Sequence, residues 1–353
     1  MKRPSVLFLG RNSGTAHHRA LALRRLGYDV FPIDPYSFLS NNRLVVSWSW
    51  HTGALFLEQF ITQRVLANIP DKKFDLVYAE CGELLGPSLV HALKARFGPV
   101  INYSIDDPFG SRDGKRWRLY LQSVPLYDLV VVVRECNAAE ALASGAQNVL
   151  RVYMTADEFA HSPRSLTEQD RQKWSSDVLF VGTWMPERGP FLARLIELGV
   201  PLSIYGLRWQ KAREWSSLRS CWRGPGIYDD EDYARAIQCA KVNLGLLSKG
   251  NRDLTTTRSM EIPSLGGVLC AERTREHSLL YEEDREAVFW SDAEECAKKC
   301  IELLSDESFR RGIARSGRER FFRNEHLNQQ VLARIFDRAL ASTDRTASLA
   351  VAL

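Results

Sequence analysis

The chain contains no apolar run of about twenty residues, the length a helix needs to cross a bilayer, which argues against an integral membrane protein. The apolar run after Met1, Lys2 and Arg3 ends at Gly10, too short for a signal-peptide core, and the expectation is a cytoplasmic protein. No Cys-x-x-Cys pair occurs. The seven cysteines, Cys81, Cys136, Cys221, Cys239, Cys270, Cys296 and Cys300, are scattered through apolar runs. Cys296 and Cys300 stand one helical turn apart, but no histidine cluster accompanies them. The pattern therefore reads as reduced thiols, and no metal site is expected. The surplus of positive charge is only +4, too small for a dedicated nucleic-acid binder, although an anionic substrate stays open. Low-complexity tracts are absent. So are the dinucleotide loop G-x-G-x-x-G and the phosphate loop G-x-x-x-x-G-K-[ST].

What is present is 353 residues, 45% hydrophobic and 25% charged, a soluble globular composition too long for one compact core. Short apolar runs alternate with helix-periodic stretches from residue 5 to 152, and again from 177 to 340. Such runs, bounded by polar loops, suit strands buried on both faces of a parallel sheet. The expected organisation is an N-terminal Rossmann-like domain over 1–154, a polar linker over 155–173 and a C-terminal Rossmann-like domain over 174–323. A final helix over 324–341 and a loose tail over 342–353 complete it. Two doubly wound α/β domains would enclose a cleft, with ligands at the carboxyl ends of the strands.

Residues 251–271 stand out. Thr255, Thr256, Thr257 and Arg258 open a helical pattern, Glu261 follows one turn in, and Pro263, Gly266 and Gly267 are expected to break the helix. A helix start offers unpaired N–H groups and a positive dipole end, which attract phosphate. A carboxylate one turn on can accept hydrogen bonds from ribose hydroxyls. The plainer alternative is an amphipathic helix feeding a buried strand. Gly182, Thr183 and Arg188 form a second strand-to-helix loop, where glycine admits close backbone approach and arginine faces an anion.

Other polar loops follow strands of the first half. Asp106 and Asp107, pinned by Pro108, suit a general base or a ligand for substrate hydroxyls, and equally a helix-capping turn. The first loop brings Asn12, Ser13 and Gly14 together with His17 and His18. Either histidine could act as a base, His18 being the candidate carried forward. Glu80 and Glu83 could line the cleft. Residues 110–118 mix cations with Trp117, a composition suited to an anionic acceptor, to a peripheral membrane contact or to a solvated helix start.

Together these stretches resemble GT-B glycosyltransferases, in particular the CgeB-like (spore maturation protein type) group related to family-4 retaining enzymes. Asp106 to Pro108 is similar to that group's Asp-x-Pro element. Residues 155–163, with Asp157, Phe159 and Pro163, are similar to its interdomain element. Residues 178–188 resemble its FVG…R element, and 241–267 its LN…R.FE…G element. The resemblance spans about residues 100 to 325. It implies a hexosyltransferase-type enzyme with no permanently bound cofactor, its co-substrate a UDP-, GDP- or dTDP-sugar held by the C-terminal domain. Its acceptor would be a sugar or another hydroxyl or amine compound on the N-terminal side, near Asn12, Ser13, Gly14 and Glu80. Glu261 matches the ribose-contacting glutamate, Arg188 the diphosphate contact, and Asp253 the first acid of the family-4 E-x7-E pair. Asp253 replaces a glutamate there. The strand-end histidine of family-4 enzymes is missing, with residues 104–107 in its place, so the stereochemistry does not carry over. The final helix would cross back onto the N-terminal domain. The rival expectations are a sugar-nucleotide epimerase of the same architecture and a non-catalytic sugar-nucleotide-binding protein.

Overall fold

The computed structural model describes residues 3–350, with side chains described through residue 340. It divides into two compact units. The first comprises Met1–Tyr153, Gly250–Arg252 and Asn328–Leu353, and the second Met154–Lys249 and Asp253–Leu327.

The first unit is built on a parallel sheet of β1 (Ser5–Leu9), β2 (Asp29–Ile33), β3 (Leu76–Glu80), β4 (Val100–Ser104), β5 (Leu129–Val132) and β6 (Val149–Arg151), in the order β2-β1-β3-β4-β5-β6. Every residue of β1, β3, β4 and β5 is buried, which is why these strands read as unbroken apolar runs rather than alternating ones. The strand order reverses between β1 and β3. That reversal marks the place where a doubly wound sheet accepts ligands, at its carboxyl edge. The helix Asn328–Ala350 belongs to this unit. Its Phe336 ring lies 4.8 Å from Tyr28 and 6.0 Å from Tyr78, and Tyr78 in turn stacks 5.2 Å from Phe8. The backbone stays helical to Ala350, so residues 342–350 extend the helix rather than forming a loose tail. Residues 351–353 lie outside the described residues.

The second unit repeats the architecture with β7 (Ser176–Val181), β8 (Leu202–Tyr205), β9 (Trp222–Gly224), β10 (Ala240–Gly245), β11 (Leu269–Glu272) and β12 (Val288–Trp290), in the order β12-β11-β10-β7-β8-β9. All pairings are parallel, and the reversal falls between β10 and β7. Both units are Rossmann-like α/β folds of the doubly wound kind.

Three local expectations need correction. Residues 155–173 are packed within the second unit rather than forming a free linker. Ala156 bridges to Leu327, the Asp157 carboxylate accepts from the Phe159 and Ala160 amides, and the Ser264 hydroxyl donates to the His161 carbonyl. The same stretch enters a helix, Glu168–Trp174, through a reciprocal Thr167–Asp170 capping box. Side-chain-to-backbone bonds order it, and these leave no apolar period to read. Next, Pro263 does not break its helix. It lies inside Arg258–Ser264, and the turn ends in Gly266 at φ +77. A proline has no N–H for the carbonyl four residues earlier. Here that carbonyl, on Ser259, accepts from the Tyr281 hydroxyl at 2.8 Å instead. Finally, residues 43–52 form a helix, Arg43–Thr52, that the periodicity does not announce, because only Ser49 on it is buried.

Candidate functional site

At the reversal of the second sheet two arginines bond the carboxyl end of β7 or the loop after it, and one of them, Arg188, also bonds the loop after β10. Arg188 is 8% exposed, and its guanidinium donates to the carbonyls of Thr183 at 2.8 Å, Leu246 at 3.1 Å and Leu247 at 3.2 Å. It therefore faces inward and fixes the loops after both strands, where the sequence suggests an outward anion contact. Gly182 is required beside it, since a Cβ there would meet the Phe180 ring at 2.6 Å. Arg258 is more open, with 28% of its side chain exposed. It donates to the Val181 carbonyl at 3.2 Å, to the Thr257 hydroxyl at 3.1 Å and to Glu261 at 2.6 Å.

Glu261 is the hub of this cluster. Its Oε2 accepts from Arg258 and from the Tyr233 hydroxyl at 2.7 Å, while His161 Nε2 stands 3.7 Å from Oε1. The Asp157 amide donates to His161 Nδ1 at 2.8 Å, which places the imidazole proton on Nε2, facing the carboxylate. Burial pushes Glu261 up, but Arg258, His161 and Tyr233 together outweigh it and hold the carboxyl at about 2. The other residues of the segment are placed around this hub. Thr255 donates to Glu276 at 3.4 Å, and the Thr256 amide donates to the Ser259 hydroxyl at 3.1 Å. Asp253 is buried, its Oδ2 accepting from the Ser248 amide at 3.3 Å.

Beneath the helix Arg258–Ser264, His277 stands between the Ser259 hydroxyl and the Glu272 carbonyl, each 2.7 Å away. Burial lowers it to about 4. A group whose folded value lies below its ordinary 6.5 adds stability above that pH and loses it as the pH falls toward 4. Glu261 extends the same loss from its ordinary 4.5 down to about 2. Urea unfolding is therefore expected to show the second unit weakening steadily below about pH 6.5, by about 3 kcal/mol from His277 alone. His277→Gln should flatten the profile between about pH 6.5 and 4. An unaltered slope would remove His277 as its source.

In the first unit the aspartate pair separates into two different groups. Asp107 is 3% exposed and accepts from the Gly110 amide at 3.0 Å, Asn137 at 2.8 Å and Arg252 at 2.6 and 2.8 Å. Burial opposes ionisation, but the bonds from Arg252 and Asn137 prevail and lower its pKa. Asp107 is thus a locked, charged anchor. Asp106 keeps 30% of its side chain exposed, with Arg116 at 3.7 Å. Its pKa is raised by burial, which outweighs the pull of Arg116, Arg112 and Arg134. Of the two, Asp106 is suited to taking a proton.

The remaining candidates lie near the reversal between β1 and β3. Glu80 is 4% exposed and clasped by Arg19, so the carboxylate expected to line the acceptor side is committed to an internal pair. Glu83 is buried as well, accepting from the Tyr36 hydroxyl at 2.9 Å and Arg116 at 2.8 Å, and lines a cavity of about 170 Å³. His18 lies on the buried face of its helix at 8% exposure, whereas His17 reaches the rim, its Nδ1 3.2 Å from Asn12 Oδ1. The Asn12 amide donates to Asp34, Ser13 occupies the helix N-cap position without a side-chain cap bond, and Gly14 adopts φ +57. Sequence reasoning missed His161, Tyr233 and Arg252. The first two come from distant elements, and only the short spacing from Asp157 to His161 offered a signal. The sulfurs of Cys270, Cys296 and Cys300 lie within 4.8 Å of one another in the apolar core, one ligand short of a tetrahedral zinc set.

The two sheets and their strand orders are those of the GT-B fold. Sucrose-phosphate synthase from Thermosynechococcus elongatus superposes with a TM-score of 0.68 at 13% identity, over 97% of this chain and 100% of that one. HepE of Anabaena, solved in complex with UDP-glucose, gives 0.60 at 12% identity, over 99% of this chain and 100% of that one. An alpha-glucosyltransferase in complex with UDP-glucose and DNA containing an abasic site gives 0.66 at 13% identity, over 96% and 99%. Residues 188–337 match the family described as glycosyl transferase-like. No curated protein matches the chain significantly in sequence.

Proposed function

We propose that this chain is a metal-independent glycosyltransferase of hexosyl type, CgeB-like in its motifs, that moves a sugar from a nucleotide-diphospho-sugar to a hydroxyl or amine acceptor. The observation that carries this reading is the pairing of the half-buried Arg258 with the buried Glu261 at the strand reversal of the second unit, inside the segment that matches the glycosyl transferase-like family. A carboxylate has about four lone-pair sites, Oε2 already uses two and Oε1 has only His161 Nε2 at 3.7 Å, so Oε1 keeps a site for a ribose hydroxyl. Arg258 offsets the charge of the diphosphate, while Arg188 holds the surrounding carbonyls in place. On the acceptor side Asp106 takes the hydroxyl proton as that oxygen bonds the anomeric carbon. The anomeric carbon–oxygen bond to the diphosphate breaks, and its electron pair leaves with the nucleotide. The free cysteines support a reducing, cytoplasmic setting. Solved GT-B neighbours bound to UDP or UDP-glucose support UDP as the first nucleotide to try.

Calorimetric titration with UDP, GDP and dTDP tests the donor half. Arg258→Ala is expected to weaken the best of them by about 1.5–3 kcal/mol, the scale of a bond to a charged group. Unchanged affinity would discard the site. Product analysis with donor alone and with acceptor added separates transfer from epimerisation.

A further inference from the structure

The first unit carries an apolar surface that the transferase reading does not use. On and just after the helix Arg43–Thr52, Leu44 is 78% exposed, Trp48, one turn on along the same face, 48%, and Phe56 84%. Singly exposed apolar residues are ordinary, but a contiguous set with a bulky ring at its tip marks an interaction surface. The backbone is shaped to present it. Gly53, Ala54 and Phe56 have φ of +64, +54 and +65, a left-handed conformation that alanine and phenylalanine adopt at a cost. The turn is seated from below, where the Gly53 carbonyl accepts from Arg118 and a Cβ on Gly53 would meet the Lys115 carbonyl at 2.1 Å. The Trp48 indole N–H donates to the Leu55 carbonyl, so the ring's polar tip is satisfied internally and its apolar body is left outward.

The segment that carries the patch is basic. No acidic residue occurs between Asp34 and Glu58. Arg43 and Lys115 are exposed, and Arg64 lies over the Phe60 ring at 5.3 Å. Aromatic and aliphatic side chains rimmed by cations match the boundary of an anionic bilayer, where rings enter the headgroup region and cations meet phosphate. A second copy of the chain would set these same cations against one another. Among the described residues no helix is long and apolar enough to cross a membrane, so the contact would be peripheral.

We infer that the face formed by Leu44, Trp48 and Phe56, with Arg43 and Lys115 at its rim, docks the protein on an anionic lipid bilayer. The inference stands apart from the transferase reading and is tested without activity. The full chain is spun with vesicles of pure phosphatidylcholine, and with vesicles containing about one quarter phosphatidylglycerol, at about 0.1 M salt. Binding to the anionic vesicles is expected to exceed binding to the neutral ones by about tenfold or more, and to fall at high salt. The double variant Leu44→Ser, Phe56→Ser should lose this binding about tenfold while keeping its melting temperature, since both side chains are solvent-exposed. Arg43→Glu, which leaves the apolar face intact, should weaken it as well. Equal sedimentation of wild type and variants, or no preference for anionic lipid, would overturn the inference. A concentration-dependent dimer abolished by the double variant would overturn it too, in favour of a second copy.

Discussion

Asp106→Asn is expected to lower transfer by a factor of about 10²–10⁴, the usual contribution of a positioned general base, with nucleotide affinity unchanged. The amide keeps the shape and the neighbours of the carboxylate but cannot take a proton at neutral pH. Asp106 is suited to the task because burial raises its pKa against the pull of Arg116, Arg112 and Arg134. Asp107→Asn should behave differently. That side chain accepts both Arg252 bonds, so its loss disturbs the Arg252–Glu140–Asn137 network and lowers stability before chemistry. Single-turnover rates and UDP titration of both variants separate the two. A wild-type rate for Asp106→Asn would remove it from catalysis.

The largest loss of stability is expected from Glu80→Gln. The side chains of Arg19 and Glu80 are 3% and 2% exposed, with contacts at 2.9 and 2.5 Å, and the guanidinium lies 4.7 Å from the Tyr103 ring. Removing one partner leaves a charge buried without its counter-charge, a cost of about 3–5 kcal/mol. Replacing both, as Arg19→Met with Glu80→Leu, should recover most of that, because the desolvation penalty disappears with the attraction. Hydrogen exchange in β1 and β3, read alongside urea unfolding, reports the effect in the unit that holds the pair. If the single and double variants were equally destabilised, packing rather than charge would be the cause.

Much of the fold was legible because its signal is local. Strands buried on both faces leave apolar runs, and the acidic first turn of Asp230–Cys239 and the glycines after several helices mark their ends. Glu261 was legible for the same reason, since its partner Arg258 lies one turn away on the same helix. What escaped was set by topology. Arg252 meets Asp107 across 145 positions, and Tyr233 meets Glu261 across 28. No spacing rule reaches that far. The three backbone carbonyls that hold Arg188 are likewise invisible in the sequence, which shows only a cation at a helix start. The helix Arg43–Thr52 escaped because its apolar residues face outward, contrary to what periodicity assumes.

The Tyr281 hydroxyl, which supplies the bond that Pro263 withholds, makes the helix Arg258–Ser264 a shared possession of two parts of the chain. The motif that looks most self-contained on paper is therefore not portable. Grafted onto another scaffold as residues 251–271, it would arrive with an orphaned carbonyl in the middle of its helix. An engineer who wished to move it would have to carry Tyr281 and its framework as well, or exchange the proline for a residue that closes the helix by itself.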